Sequence, residues 1–253
     1  MKRFGNKGWS PIAVLLLFFM VWEGLASFFE IPAWLLPAPT AILKEAFANY
    51  QLFLPDVGAT VMLAASGLLL GASIGFIIAT VLHLVPPLRT AMYPFLIISQ
   101  NVPIIVLAPL LVIWFGFGYL PKLIIITLVC FFPITIALLD GFRNAPRELV
   151  HYMKMSGASS SQLFAKVQFP NALPQFFSGL KISATYSVMG AVISEWLGAE
   201  KGIGVFMTLS SSAFRTDRVF IAIFIIVILS MLFYSLITLL EKTFIKWARE
   251  GEQ

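Results

Sequence analysis

The chain has 253 residues, of which 59% are hydrophobic and only 11% charged, with 24 Phe and a net charge of +5. Soluble domains carry about 25% charged residues, so a soluble globular protein is excluded. A membrane β-barrel is excluded too, because its strands alternate weakly over about ten residues, whereas this chain has long unbroken apolar runs. The single Cys130 rules out a disulfide framework or a multi-cysteine zinc site, and no basic block points to nucleic acid.

The composition predicts an all-α membrane protein in one transmembrane domain, residues 1–253. About 20 apolar residues span a bilayer core of about 30 Å. Six spans meet that test: Pro11–Phe29, Val57–Val85, Ala91–Phe115, Leu123–Leu139, Gln175–Leu197 and Val219–Leu240. Lys2, Arg3 and Lys7 precede the first span, as in a signal peptide. Its length and the lack of a small-x-small cleavage site favour a retained helix. Eleven Lys and Arg fall on the side of both termini and five on the other, leaving out Lys181 inside the fifth span. By the positive-inside rule both termini are expected to be cytoplasmic in a multi-pass protein.

Between the first two spans, Thr40 is expected to cap a short interfacial helix running to Tyr50. Glu23, late in the first span, reads as interfacial. The third span carries Pro94, Pro103 and Pro109, with Asn101 beside the middle one. Each proline removes a backbone donor, and freed carbonyls at membrane depth require a bundle interior or a watery cavity. A kinked packing helix and a pathway-lining helix both fit.

The connection 140–174 is the most informative segment. Asn144 can cap a helix reaching Met155, with Leu149, Val150, Tyr152 and Met153 as its apolar residues. Gly157 breaks it, Ser159–Ser161 can cap a second short helix bearing Leu163, Phe164 and Val167, and Pro170 and Pro174 are expected to stop that one. The product is a helix–glycine–helix elbow. It either folds back on its own bundle or docks a partner protein through an amphipathic face. The fifth span then carries a polar stripe, Ser183, Thr185, Tyr186, Ser187, Ser194 and Glu195, which suits a solute pathway or interhelical bonding. Lys181 can snorkel to the cytoplasmic surface. With one basic residue in the spans, an anionic solute is poorly served, and a neutral aromatic one fits Tyr186, the serines and Glu195 better.

Enzyme motifs fail. No phosphate-binding loop and no H-E-x-x-H occur. Gly71–Gly75 spells G-x-S-x-G, but a nucleophile elbow needs a strand–turn–helix, and here Ser73 sits inside an apolar span. The same residues read better as G-x-x-x-G, for close helix contact within the bundle or across a dimer.

At the elbow the chain resembles the permease subunits of bacterial ABC importers that take up nitrate, taurine, alkanesulfonates and thiamine-precursor pyrimidines. That family's loop has the form EAA-x3-G-x9-I-x-LP. Gly157, followed by Ala158, matches the glycine, and Val167–Pro170 matches the last element; His151, Tyr152 and Met153 replace EAA. Leu36–Leu43, Ala108–Gly118 and Gly190–Gly204 resemble further family elements in the same order. The resemblance implies a type I importer permease without an ATPase site or cofactor of its own, ATP being bound by a cytoplasmic ABC ATPase that docks on the elbow. It further implies a second copy of the chain, a periplasmic or lipid-anchored binding protein and a bacterial inner-membrane location. The fifth-span region looks most like members importing the hydroxymethylpyrimidine precursor of thiamine, with sulfonate, taurine or nitrate permeases and a stand-alone secondary transporter as alternatives.

Overall fold

The computed structural model describes residues 9–245. Lys2, Arg3, Lys7, Lys246 and Arg249, used in the orientation count, lie outside them. Eleven α-helices follow one another: α1 (Trp9–Phe28), α2 (Pro39–Ala48), α3 (Tyr50–Leu84), α4 (Pro86–Gln100), α5 (Ile104–Phe115), α6 (Tyr119–Arg143), α7 (Arg147–Met155), α8 (Ser160–Leu163), α9 (Phe169–Glu195), α10 (Ile203–Ser212) and α11 (Thr216–Phe244). A π-helical turn, Phe164–Gln168, joins α8 to α9. Among the described residues five helices are long and apolar enough to cross a membrane, and α4 with α5 makes a sixth if that bent pair is one span.

The core is α6, clasped between α3 and α9. Small residues make this possible. A Cβ added at Gly71 would meet Cys130 Cβ at 2.6 Å, and one at Gly75 would meet the Phe131 carbonyl at 2.8 Å. On the other side of α6, a Cβ at Gly179 would meet the Pro133 carbonyl at 2.9 Å. In lipid, where apolar burial drives little, such backbone approach supplies the packing energy. The G-x-x-x-G contact is thus made within the chain. Ser73 donates to its own Leu69 carbonyl at 2.8 Å and takes no part in it.

Several expectations change. The third span is not one kinked helix, because α4 and α5 meet at 97°. Pro103 has no N–H to offer the turn, and Asn101 closes α4 instead, its side chain donating to Ile97 O at 2.8 Å. The second elbow helix does not stop at Pro170 or Pro174. Pro170 cannot donate to the Lys166 carbonyl, so Phe169 N–H bonds back to Phe164 O in a π turn and the helix continues into α9. The fifth span therefore starts at Phe169, not Gln175, and with α8 forms one 36-residue helical run. Helix α7 has Pro146 at its N-cap position, not Asn144, which ends α6. Thr40 does not cap α2, whose N-cap position is Ala38. Thr40 donates from its N–H (3.0 Å) and hydroxyl (2.7 Å) to Glu23, fastening α1 to α2. Tyr50 begins α3 rather than ending α2. Lys181 pairs with Glu241 of α11 at 2.5 Å instead of reaching outward. At the opposite end Glu45 of α2 bridges Arg215 and Arg218 at 2.8 Å each, and the neighbouring Asp217 raises the Arg215 guanidinium above its ordinary pKa.

Candidate functional site

Among the described residues the elbow, a cavity and a buried polar knot bring chemistry-bearing side chains together. The first is the elbow. Helix α7 ends in paired reverse bonds, Gly157 N–H to Lys154 O (3.1 Å) and Ala158 N–H to Met153 O (3.0 Å). That pattern needs a left-handed residue after the cap, and Gly157 supplies it with φ of 79°. Ser159 then opens α8 with a capping box, its hydroxyl accepting Gln162 N–H while Gln162 Oε1 accepts Ser159 N–H. The apolar residues of α7 divide between two faces. Val150 and Met153 are half-buried toward the bundle, whereas Leu149, Tyr152 and Met155 are exposed, Met155 at 76%. His151 is exposed beside them, Ala158 and Pro170 are half-buried, and Val167 is buried under the elbow.

The elbow is tied to the spans by a contact that sequence reasoning missed. His83, at the end of α3, lies 2.9 Å from Gln168 Oε1 in the π turn, and its ring is 4.6 Å from that of Phe142. Gln168 interrupts the apolar residues of the predicted second helix, which is the signal that was available.

The second place is a cavity of about 650 Å³ at the α4–α5 break, between that break, α6 and α9. Ser99 and Gln100 reach it from the end of α4, Phe131 and Phe132 from α6, and Tyr186 from α9. Among the described residues no charged side chain lines it. A second cavity, of about 450 Å³, shares Ser99 and Phe131 with it and runs toward Val81 and Leu88, the end of α3 that meets the elbow.

The third is a buried polar knot. Glu195 is only 2% exposed, accepting Thr60 Oγ1–H and Gly204 N–H at 2.7 Å each. Thr60 also accepts Ile203 N–H, and Asp56 accepts Gly202 N–H. A side chain at Gly202 would collide with the Glu195 carboxylate, so this knot requires glycine there.

Four of the six residues on the polar stripe of the fifth span, Tyr186, Ser187, Ser194 and Glu195, therefore separate. Tyr186 lines the cavity, while Ser187 and Ser194 are buried and donate to the Ala184 and Ala191 carbonyls of their own helix. Glu195 holds the loop after α9 against α3. Gln100 and Ser99, which the cavity does use, stood in the sequence as the polar pair preceding Asn101.

Comparison with known proteins follows the same outline. Residues 67–246 match the family described as binding-protein-dependent transport system inner membrane component. A probable ABC transporter permease protein of Haemophilus influenzae is 34% identical over 93% of this chain and 96% of its own length. The formylaminopyrimidine transport permease protein ThiX of Halalkalibacterium halodurans is 33% identical over 99% of this chain and all of its own. In fold, an amino acid ABC transporter solved with histidines superposes with a TM-score of 0.65 at 15% identity, covering 78% of this chain and 97% of that one.

Proposed function

This chain belongs to the family of binding-protein-dependent transport system inner membrane components and is an ABC importer permease subunit, and on that premise we propose that it carries a small uncharged heteroaromatic solute, of the aminopyrimidine class, into the cytoplasm. The observation that carries the ATP-driven part of this reading is the glycine elbow, an exposed amphipathic helix α7 ended at Gly157, after which α8 runs through the π turn into α9. Two copies pair in the membrane with their termini in the cytoplasm. Each offers the Leu149–Tyr152–Met155 face to a separate ATPase, while a binding protein delivers solute from the other side. The chain itself performs no nucleotide chemistry, its sequence having no phosphate loop.

Closure of the ATPases pushes on α7. Because α8, the π turn and α9 form one run, that push tilts α9 against α6, and packed interfaces of this kind switch between discrete arrangements rather than deform smoothly. The solute class is supported by the 33% identity to a formylaminopyrimidine permease and by the charge-free lining of the cavity at the α4–α5 break. An anion there would meet no cationic side chain of this chain among the lining residues.

The test is reconstitution with the ATPase and binding protein in liposomes, following a labelled 4-amino-5-hydroxymethylpyrimidine. Uptake that requires ATP inside the docking side and is competed by related aminopyrimidines is expected. Uptake without nucleotide, or of sulfonates alone, overturns the proposal.

A further inference from the structure

The α4–α5 break solves a local backbone problem in a way that leaves one amide free. Pro103 leaves Ser99 O without its helical donor, and Val102 N–H takes that carbonyl at 3.4 Å, while Asn101 covers the two before it, its backbone N–H bonding to Ile98 O at 3.0 Å and its side chain to Ile97 O at 2.8 Å. Ser99 Oγ is likewise occupied, donating to Leu96 O at 2.8 Å. Gln100, the last residue of α4, has no such duty. Among the described residues its amide makes no hydrogen bond, and neither does the Tyr186 hydroxyl, yet both line the 650 Å³ cavity. The rest of the lining is apolar, including Phe131 and Phe132, apart from Ser99.

We propose that this cavity is a solute-binding site within the membrane and that Gln100 is its specificity-determining residue, reading the donor–acceptor edge of an uncharged aminopyrimidine-type ring. This rests on the transport reading above and adds a site and a residue to it. A carboxamide presents a carbonyl acceptor and an N–H donor side by side. An exocyclic amino group next to a ring nitrogen presents the complement, and the same bidentate pairing is how Gln reads adenine. Tyr186, Phe131 and Phe132 supply apolar and aromatic surface for the ring face. The volume lies inside the range of small-molecule sites, about 300–1,000 Å³. Beyond it, the adjoining 450 Å³ cavity offers almost only hydrocarbon, from Ile77, Val81, Met92 and Phe95. The polar hold is therefore at the break, and nothing comparable detains the solute on the way to the elbow end.

The experiment separates this site from the binding protein, which is left out. The full chain, assembled with its ATPase in lipid nanodiscs, is titrated with two labelled probes: 4-amino-5-hydroxymethylpyrimidine and its 4-methyl analogue, which has the same shape but lacks the amino donor. Wild type is expected to bind the amino probe at least about tenfold more tightly, the order of one desolvated hydrogen bond. Gln100→Met keeps the side-chain length and removes the amide, and should bring that ratio close to one. Gln100→Glu keeps the acceptor but sets a carboxylate against the ring nitrogen, and should weaken the amino probe more than the methyl one. Tyr186→Ala should weaken both probes alike. An unchanged ratio in Gln100→Met, or no saturable binding of either probe by wild type, overturns the site. ATP-driven uptake with the binding protein restored is measured on the same preparations. Uptake that persists when the ratio is unmoved sinks the site and spares the transport reading; wild type without ATP-driven uptake sinks that reading itself.

Discussion

Thr60 and Glu195 stand 135 residues apart in the chain and 2.7 Å apart in the fold, hydroxyl to carboxylate. The same hydroxyl oxygen accepts Ile203 N–H at 2.9 Å, so one side chain joins α3, the end of α9 and the start of α10. Thr60→Val keeps the shape and deletes the hydroxyl, leaving a buried N–H and one carboxylate oxygen without this partner. Each orphaned group costs about 1–3 kcal/mol. Purified Thr60→Val should melt several degrees below wild type, with Thr60→Ser close to normal. Equal melting of the Val variant and wild type would show the knot to be incidental.

The contact of α3 with α6 makes a sharper contrast between glycines. A methyl at Gly71 has to displace Cys130 and the Phe131 backbone, whereas a methyl at Gly58 meets nothing within 4 Å. Overpacking of this kind costs about 1–3 kcal/mol. Gly71→Ala is therefore expected to lower the melting midpoint in detergent, while Gly58→Ala leaves it unchanged or raises it by improving helix propensity. Ser73→Ala, on the same helix, should transport normally, since its hydroxyl bonds only to Leu69 O.

The contrast between these two sites says what a sequence can carry. The spans were legible because their length and apolar content act locally, and the elbow because Gly157 answers a backbone need within one turn of the chain. Glu195 was not. Its place on the polar stripe of the fifth span suggested a solute pathway or interhelical bonding, and only the fold brings Thr60 and Gly204 to its oxygens. Prolines misled in two directions for one reason. Each announces a missing donor, but the helix breaks at Pro103, where α4 and α5 meet at 97°, and runs on at Pro170 through a π turn. Tyr186 lines a cavity, while Ser187 and Ser194, on the same stripe, donate to their own helix carbonyls.

At the elbow, space and strain can be separated. Nothing lies within 4 Å of a Cβ built on Gly157, but its φ of 79° disfavours any side chain. Gly157→Ala should therefore cost about 1–2 kcal/mol of local strain and leave partial transport. Gly157→Leu adds bulk to the exposed turn and is expected to leave the bundle inserted while the ATPase no longer co-purifies. Wild-type uptake by the Leu variant would remove the elbow from the mechanism.

Lys181 and Glu241 pair at 2.5 Å between α9 and α11, each about one fifth exposed. Breaking a largely buried pair from one side strands a charge, whereas replacing both partners can be nearly neutral. Glu241→Gln should lower the melting midpoint clearly, and the double variant Lys181→Met with Glu241→Gln should recover most of the loss. A double variant as unstable as the sum of its parts would mean that the pair is not a coupled unit.

The π turn sets the angle at which the elbow meets the membrane. Phe169 N–H reaches back five residues to Phe164 O, so the turn holds one residue more than an α-helix would. Deleting Lys166, which is exposed, offers the chain an ordinary α turn. Val167 and Gln168 keep their phase with α9, and His83 keeps its 2.9 Å contact with Gln168. Everything before the deletion rotates by about 100°, one residue's worth of helix, and the Leu149–Tyr152–Met155 face turns away from where an ATPase meets it. The deletion variant is expected to insert and melt within a few degrees of wild type yet to lose most ATP-driven uptake, measured in liposomes with the partner proteins present. If uptake survives in full, the rotational phase of the elbow has no part in coupling, and α9 is driven through some contact other than this helical run.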